Sequence, residues 1–126
     1  MMLDIDFFKS VNDDYGHDIG DLTLVELGKI LHTETHSFEG SEAYRLGGEE
    51  FLLIVPNIDE TSIISLYTKI VQSLADVEIP GLDRTIKLSA GATQVLKDDS
   101  QYGILKRTDN ALYQAKEQGR DRLIII

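Results

Sequence analysis

Gly47 and Gly48, followed at once by Glu49 and Glu50, constrain this chain more than any other stretch. Glycine lets the backbone turn sharply and lie close to a ligand, because no side chain stands in the way. The apolar run Phe51-Leu52-Leu53-Ile54-Val55 follows, so the turn is expected to join two antiparallel strands, about 42–46 and 50–56, ended by Pro56 and Asn57. Carboxylates beside such a turn suit a divalent cation and its phosphate, since hard cations prefer oxygen ligands. The same residues also fit an ordinary hairpin with an acidic turn. The segment alone leaves both readings open.

A second acidic cluster stands at the start, where residues 1–6 read as a short buried strand carrying Asp4 and Asp6. From Asp21 to about His36, the spacing of Leu22, Val25, Leu27, Ile30 and Leu31 predicts a helix, with Asp21 near its N-terminus. A second helix is expected from Asp59 to Ala75, carrying Ile63, Ile64, Leu66, Tyr67, Ile70, Val71 and Leu74. Pro80-Gly81 marks a turn, and 85–95 alternates as a strand. A third helix over about 101–118 is stopped by Gly119, and 122–126 form a terminal strand. Strand, helix, hairpin, helix, strand, helix, strand gives an α+β fold. Its expected form is a single, largely antiparallel central sheet flanked by helices, in one domain over 1–126.

Composition narrows the function. A net charge of -10 argues against a nucleic-acid surface, which would show a basic patch. It does not exclude a nucleotide, because magnesium can bridge acidic side chains to phosphates. Hydrophobic residues make up 42% of the chain, enough for a real core, yet no stretch is long enough to span a bilayer. No membrane contact is therefore expected of this segment. The start lacks the pattern of a secretory signal, and zero cysteines fit a reducing compartment. The expected location is the cytoplasm, whether or not the parent protein is membrane-anchored.

Asp4-Ile5-Asp6-Phe7-Phe8-Lys9, Asn12-Asp13, Gly16-His17, Gly20-Asp21 and Gly47-Gly48-Glu49-Glu50-Phe51 together resemble the GGDEF domain of diguanylate cyclases, which condense two GTP into cyclic di-GMP. Leu112 to Arg122 resembles the same family's Tyr-x-Ala-Lys-x-x-Gly-Arg signature. The likeness runs through nearly the whole chain and implies a fold like the palm of nucleotidyl cyclases and polymerases. It also implies magnesium, or manganese in its place, held by Asp4, Glu49 and the backbone carbonyl of Ile5. Glu49 and Glu50 are the implied catalytic acids. A carboxylate bound to a metal is a poor base, so metal ligation is the preferred role of Glu49. The backbone at Phe7, Phe8 and Lys9 is implied to cradle phosphates, with Gly47 and Gly48 as the opposite wall. Asn12 and Asp21 match the family's guanine readers, and His17 a position near base or ribose. Lys116 and Arg120, read as one helix face at i and i+4, match its γ-phosphate ligands.

Each position also has a plainer reading: a turn asparagine, a helix-start aspartate, a loop-holding histidine, and two cations complementing a helix C-terminus. Asp6 is expected to point away from Asp4 and serve as a structural or capping acid, and Arg45 is expected to be structural.

Two departures stand out. Family members usually begin with a helix carrying a Leu-Thr-Gly-Leu-x-Asn-Arg-like motif, so the chain reads as N-terminally truncated. Many also carry Arg-x-x-Asp ahead of the glycines as a product-inhibition site. Here Phe38 and Ser41 occupy those positions, and no tight product inhibition is expected through them. The expected partners are GTP, a second copy of the chain, and an upstream sensory or dimerising domain of the parent protein. The main rival is a catalytically inactive GTP-binding regulatory module, against which the intact Gly47–Phe51 motif argues. A cyclic di-GMP receptor acting through Arg-x-x-Asp is weaker still, as is a cyclase with another nucleotide.

Overall fold

A computed structural model describes residues 1–126. β1 is Met2–Ile5, followed by α1 (Phe8–Tyr15), α2 (His17–Thr35), the hairpin β2 (Glu42–Gly47) and β3 (Glu50–Ile54), α3 (Glu60–Asp76), β4 (Leu88–Ala92), α4 (Gln101–Glu117) and β5 (Leu123–Ile125). The strands form one sheet in the order β2-β3-β1-β4-β5, antiparallel except for the parallel β4–β5 pair. This is the expected α+β architecture, and β1 lies at its centre.

Alternation of side chains across the sheet sorts the layers. Leu3, Ile5, Phe51, Leu53, Leu88, Ala90 and Ala92 pack with Phe8 and Val11 of α1, Leu24, Leu27, Ile30 and Leu31 of α2, and Ile63, Leu66, Ile70 and Leu74 of α3. On the other face α4 lies so close to β4 that a Cβ at Gly91 would sit 2.2 Å from the Leu112 backbone nitrogen. Every residue of β4 is therefore buried. Helix ends follow local chemistry. Asp59 accepts from Ser62 N–H at the start of α3, and Ser100 accepts from Gly103 N–H at the start of α4.

The structure corrects the expected elements in four places. Residues 8–15 form a helix that the apolar spacing did not reveal, because only Phe8 and Val11 of α1 are buried. α2 begins at His17 rather than Asp21, so Asp21 stands inside the helix. Leu22 and Val25 are exposed, and Leu24 takes the inward position instead. The strand expected over 85–95 is confined to Leu88–Ala92.

Candidate active site

The acids meet at one end of the sheet because β1 runs between β3 and β4. Asp4 pairs in register with Glu50 on one side and Ser89 on the other, and Ile5 N–H donates to the Glu49 carbonyl at 3.4 Å. Asp4 and the two glutamates are thus brought together from segments some 45 residues apart. The turn between them has Gly48 at φ 54, a left-handed conformation natural to glycine. A Cβ at Gly47 or Gly48 would meet nothing within 4 Å, so the turn faces open space. Arg45 is structural as expected: its Nε and Nη2 both donate to the Gly48 carbonyl, at 2.9 and 2.7 Å.

Asp4 is the electrostatic centre. Burial holds its carboxyl above the ordinary carboxylate range, and the charges of Glu49 and Glu50 push the same way. Lys116 opposes them from the last turn of α4, its Nζ 2.9 Å from Asp4 Oδ2. No three acidic or imidazole side chains converge on one point. Two carboxylates plus the Ile5 carbonyl would nevertheless make an all-oxygen set suited to a hard cation. Burial first, then the neighbouring glutamate charges, disfavours the charged Asp4, and a bound cation would offset both.

β1 leads directly into α1. Phe7 precedes the helix at φ 57 without any side-chain cap, and its carbonyl accepts from Ser10 and Val11 N–H. The first backbone N–H groups of an α-helix have no partner within it, so Phe8 and Lys9 present donors suited to an anion. The Phe8 side chain is in the core, and Lys9 pairs with Asp13 at 3.0 Å. Any role of Phe8 toward a ligand therefore belongs to its backbone.

Gly16, at φ 91, turns the chain from α1 into α2. The Asn12 side chain then lies against Gly20, the residue before Asp21, so tightly that a Cβ there would be 1.8 Å from Asn12 Oδ1. Asp21 and His17 are both exposed and stand four apart on α2, on one face.

Two expectations about side-chain direction fail. Asp6 lies on the same face as Asp4, as a spacing of two along a strand requires. It is structural, accepting from Ser89 Oγ at 2.7 Å and from Asp121 N–H at 3.0 Å. Lys116 and Arg120 do not share a helix face, because α4 ends at Glu117. Gly119 N–H then bonds the Lys116 carbonyl and Arg120 N–H the Ala115 carbonyl, the pattern of a glycine-terminated helix. Arg120 instead lies in the following loop, its guanidinium 4.7 Å from the Phe7 ring centroid. The contacts that sequence reasoning missed, Lys116 on Asp4 and Asp6 on Asp121, join segments more than a hundred residues apart and leave no local pattern.

Phe38 is half-buried against the core, and Ser41 Oγ donates to the Thr35 carbonyl at 2.9 Å. A cleft of about 290 Å³ borders the site through Asp6, Phe7, Ser10, Arg84 and Lys87. A larger concavity, about 600 Å³, runs along the α3–β4 connection and touches none of the acids.

Known proteins are similar to this chain in sequence and fold. The family described as diguanylate cyclase, GGDEF domain, matches residues 1–122. The chain is 35% identical to diguanylate cyclase A of Treponema denticola, over 99% of its own length and 34% of that protein. It is 39% identical to diguanylate cyclase DgcM of Escherichia coli strain K12, over 98% of its length and 30% of that protein. The chain thus spans about a third of the curated relatives it matches. Among solved structures, the active GGEEF domain of a diguanylate cyclase from Vibrio cholerae superposes with a TM-score of 0.87 at 34% identity, covering 98% of this chain and 79% of that one. The GGDEF domain of DgcB from Caulobacter crescentus, solved in complex with c-di-GMP, gives 0.89 at 28% identity, over 98% and 74% of the two chains.

Proposed function

The chain belongs to the GGDEF domain family, and on that premise we propose that it is the catalytic domain of a diguanylate cyclase, joining two GTP into cyclic di-GMP. Each ribose 3′-hydroxyl attacks the α-phosphate of the other GTP and pyrophosphate leaves. The observation that carries this reading is the meeting of Asp4, Glu49 and Glu50 with Lys116 and the open N-terminus of α1 at one end of the sheet.

Magnesium, or manganese, held by Asp4, Glu49 and the Ile5 carbonyl, would neutralise phosphate charge and acidify the attacking hydroxyl. Backbone N–H groups at Phe8 and Lys9 receive the β- and γ-phosphates, and Gly47 and Gly48 let the opposite wall approach. Lys116, now paired with Asp4, sits where it can also meet phosphate oxygens. Arg120 reaches the γ-phosphate from the loop after α4. Asn12 and Asp21 accept from the guanine N1–H and N2 amino groups, with His17 beside the base or ribose. Glu49 acts as a metal ligand. Glu50, exposed and opposite Asp4, is the freer proton acceptor for the 3′-hydroxyl.

One site holds one GTP, so ring closure needs two copies face to face. GTP as substrate fits a cytoplasmic domain, and no helix is long and apolar enough to cross a membrane. The relatives are about three times longer, which fits a parent protein in which another segment senses a signal or dimerises the domain.

The test is incubation at high protein concentration with GTP and magnesium, followed by mass-resolved chromatography, beside a Glu49→Ala variant. Cyclic di-GMP from the wild type and at least a hundredfold less from the variant is the expected result, of the order seen when an electrostatic contact to the reacting groups is removed. GTP binding without product from the wild type, persisting when the parent protein's upstream segment is restored, would instead identify a regulatory module.

A further inference from the structure

We propose that Asp6 is a positioning residue, whose buried carboxylate holds the strained corner after α4 and thereby aims Arg120 at the terminal phosphate of the nucleotide. The inference rests on the reading of the site as a GTP site, and goes beyond it by giving a role to an acid that touches neither metal nor substrate.

Asp6 is 6% exposed and both its oxygens are engaged, Oδ1 by Ser89 Oγ and Oδ2 by the backbone N–H of Asp121. Its own N–H donates to the Lys87 carbonyl at 2.9 Å, and Lys87 Nζ pairs with the Asp121 carboxylate at 2.7 Å. The corner is thus gripped through both its backbone and its side chain. It needs the grip, because Arg120 and Asp121 are consecutive left-handed residues, at φ 64 and 50, and neither is glycine. Side chains of L-residues crowd the backbone in that conformation, and it persists only where the surroundings enforce it. A hydrogen bond from an amide to a buried carboxylate is charge-assisted and among the stronger ones available.

What the corner fixes is the direction of Arg120. Its guanidinium stacks on Phe7, itself left-handed at φ 57, and Phe7 is the residue before the open N-terminus of α1. Three strained residues therefore meet where the phosphate cradle is proposed, and Asp6 adjoins one of them in sequence and bonds another through space. A lysine or arginine on a helix is aimed by the helix. Arg120, past the helix end, is aimed by this corner.

The test compares Ser89→Ala with Ser89→Ala/Asp6→Ala, so that no buried hydroxyl is left without its acceptor. Asp6→Asn, whose amide oxygen can still accept from Asp121, serves as the conservative rescue. Affinity is measured calorimetrically for GMP and for a GTP analogue with a methylene α–β bridge, which resists loss of pyrophosphate. The position of Arg120 is read separately by NMR, from the upfield displacement of its side-chain resonances by the Phe7 ring. Removing Asp6 should cost about tenfold in the preference for triphosphate over monophosphate, leave GMP affinity unchanged and abolish the ring-current displacement, and Asp6→Asn should restore both. Equal weakening of the two nucleotides, or a retained displacement, overturns the proposal. Arg120→Ala, run alongside, reports on the site reading itself. If that variant keeps the triphosphate preference, the γ-phosphate role is wrong, and the ring-current displacement alone decides whether Asp6 positions Arg120.

Discussion

At position 20 a methyl carbon would lie 1.8 Å from Asn12 Oδ1 and 3.3 Å from Phe8 Cζ. The nearer atom ends a flexible side chain, so Gly20→Ala should leave the helices in place and swing Asn12 out of its position. The expected result is a rise of about tenfold in KM for GTP, the worth of a hydrogen bond or two, with a smaller effect on kcat. Steady-state kinetics on Asn12→Ala and Asn12→Ala/Gly20→Ala check the cause, since the clash disappears with the asparagine amide and the double variant should be no worse than Asn12→Ala. Additional loss in the double variant would place the role of Gly20 elsewhere. The residue types of the site were legible because each belongs to a short motif: Asp4, Asn12, Gly47 to Glu50, Lys116. Their couplings were not. Nothing local says that Gly20 makes room for Asn12, or that Lys116 reaches Asp4 across 112 positions. Asp6 shows a different failure. Strand alternation already puts it on the face of Asp4, so its direction was available and was misread.

Between neighbouring elements, α4 packs backbone to backbone on β4. A Cβ at Gly91 would meet the Leu112 nitrogen at 2.2 Å, the Thr108 carbonyl oxygen at 2.5 Å and the Ala111 carbonyl carbon at 2.8 Å. These are backbone atoms that cannot step aside, so Gly91→Ala must lift α4, and Lys116 with it. We expect a loss of about 2–3 kcal/mol, read as a lower denaturation midpoint, together with weakened GTP binding. The loop before α4 is held differently. Arg107 donates to both oxygens of Asp99, at 3.0 and 2.6 Å, and to Thr93 Oγ1 and the Gln94 carbonyl. The Arg107 guanidinium, then Leu96 N–H, holds the Asp99 carboxyl down at about 2, against an ordinary 3.8. A depressed carboxylate stabilises fully above its unfolded value and stops doing so as pH falls through its folded one. The Tm difference between wild type and Asp99→Asn should therefore be constant above about pH 5 and vanish as pH falls from 4 to 2. Long amphipathic elements such as α3 could be read from spacing and an Asp59 cap. α1 could not, because it is 8 residues long, buries two of them and starts from an uncapped phenylalanine.

The proposed reaction requires that the protein work in pairs. The strand order and layers place a single set of acids at one end of one sheet, and a single bound GTP offers one 3′-hydroxyl and one α-phosphate. On the proposed reaction, cyclisation needs two of each, which a second copy facing the first would supply. The architecture was readable from the order of elements, but the pairing follows from the chemistry. Two molecules that each carry a net charge of -10 repel one another, so association through this chain alone should be weak and assisted by salt. Dilution should then lower specific activity instead of leaving it constant, and at a given dilution moderate salt should restore part of it. A mixing experiment separates pairing from trivial losses on dilution. With a ninefold excess of Glu49→Ala, nearly every wild-type copy that pairs does so with a variant, and cyclic di-GMP formed per wild-type molecule should fall several-fold by mass action, approaching about tenfold as pairing saturates. The variant keeps Asn12, Asp21 and the α1 N-terminus, the groups proposed to bind GTP, so on that reading it would still bring a GTP to the pair and fail only at the acid. A rate that is independent of added variant, at concentrations where the wild type alone shows dilution loss, would mean that each copy completes the reaction by itself.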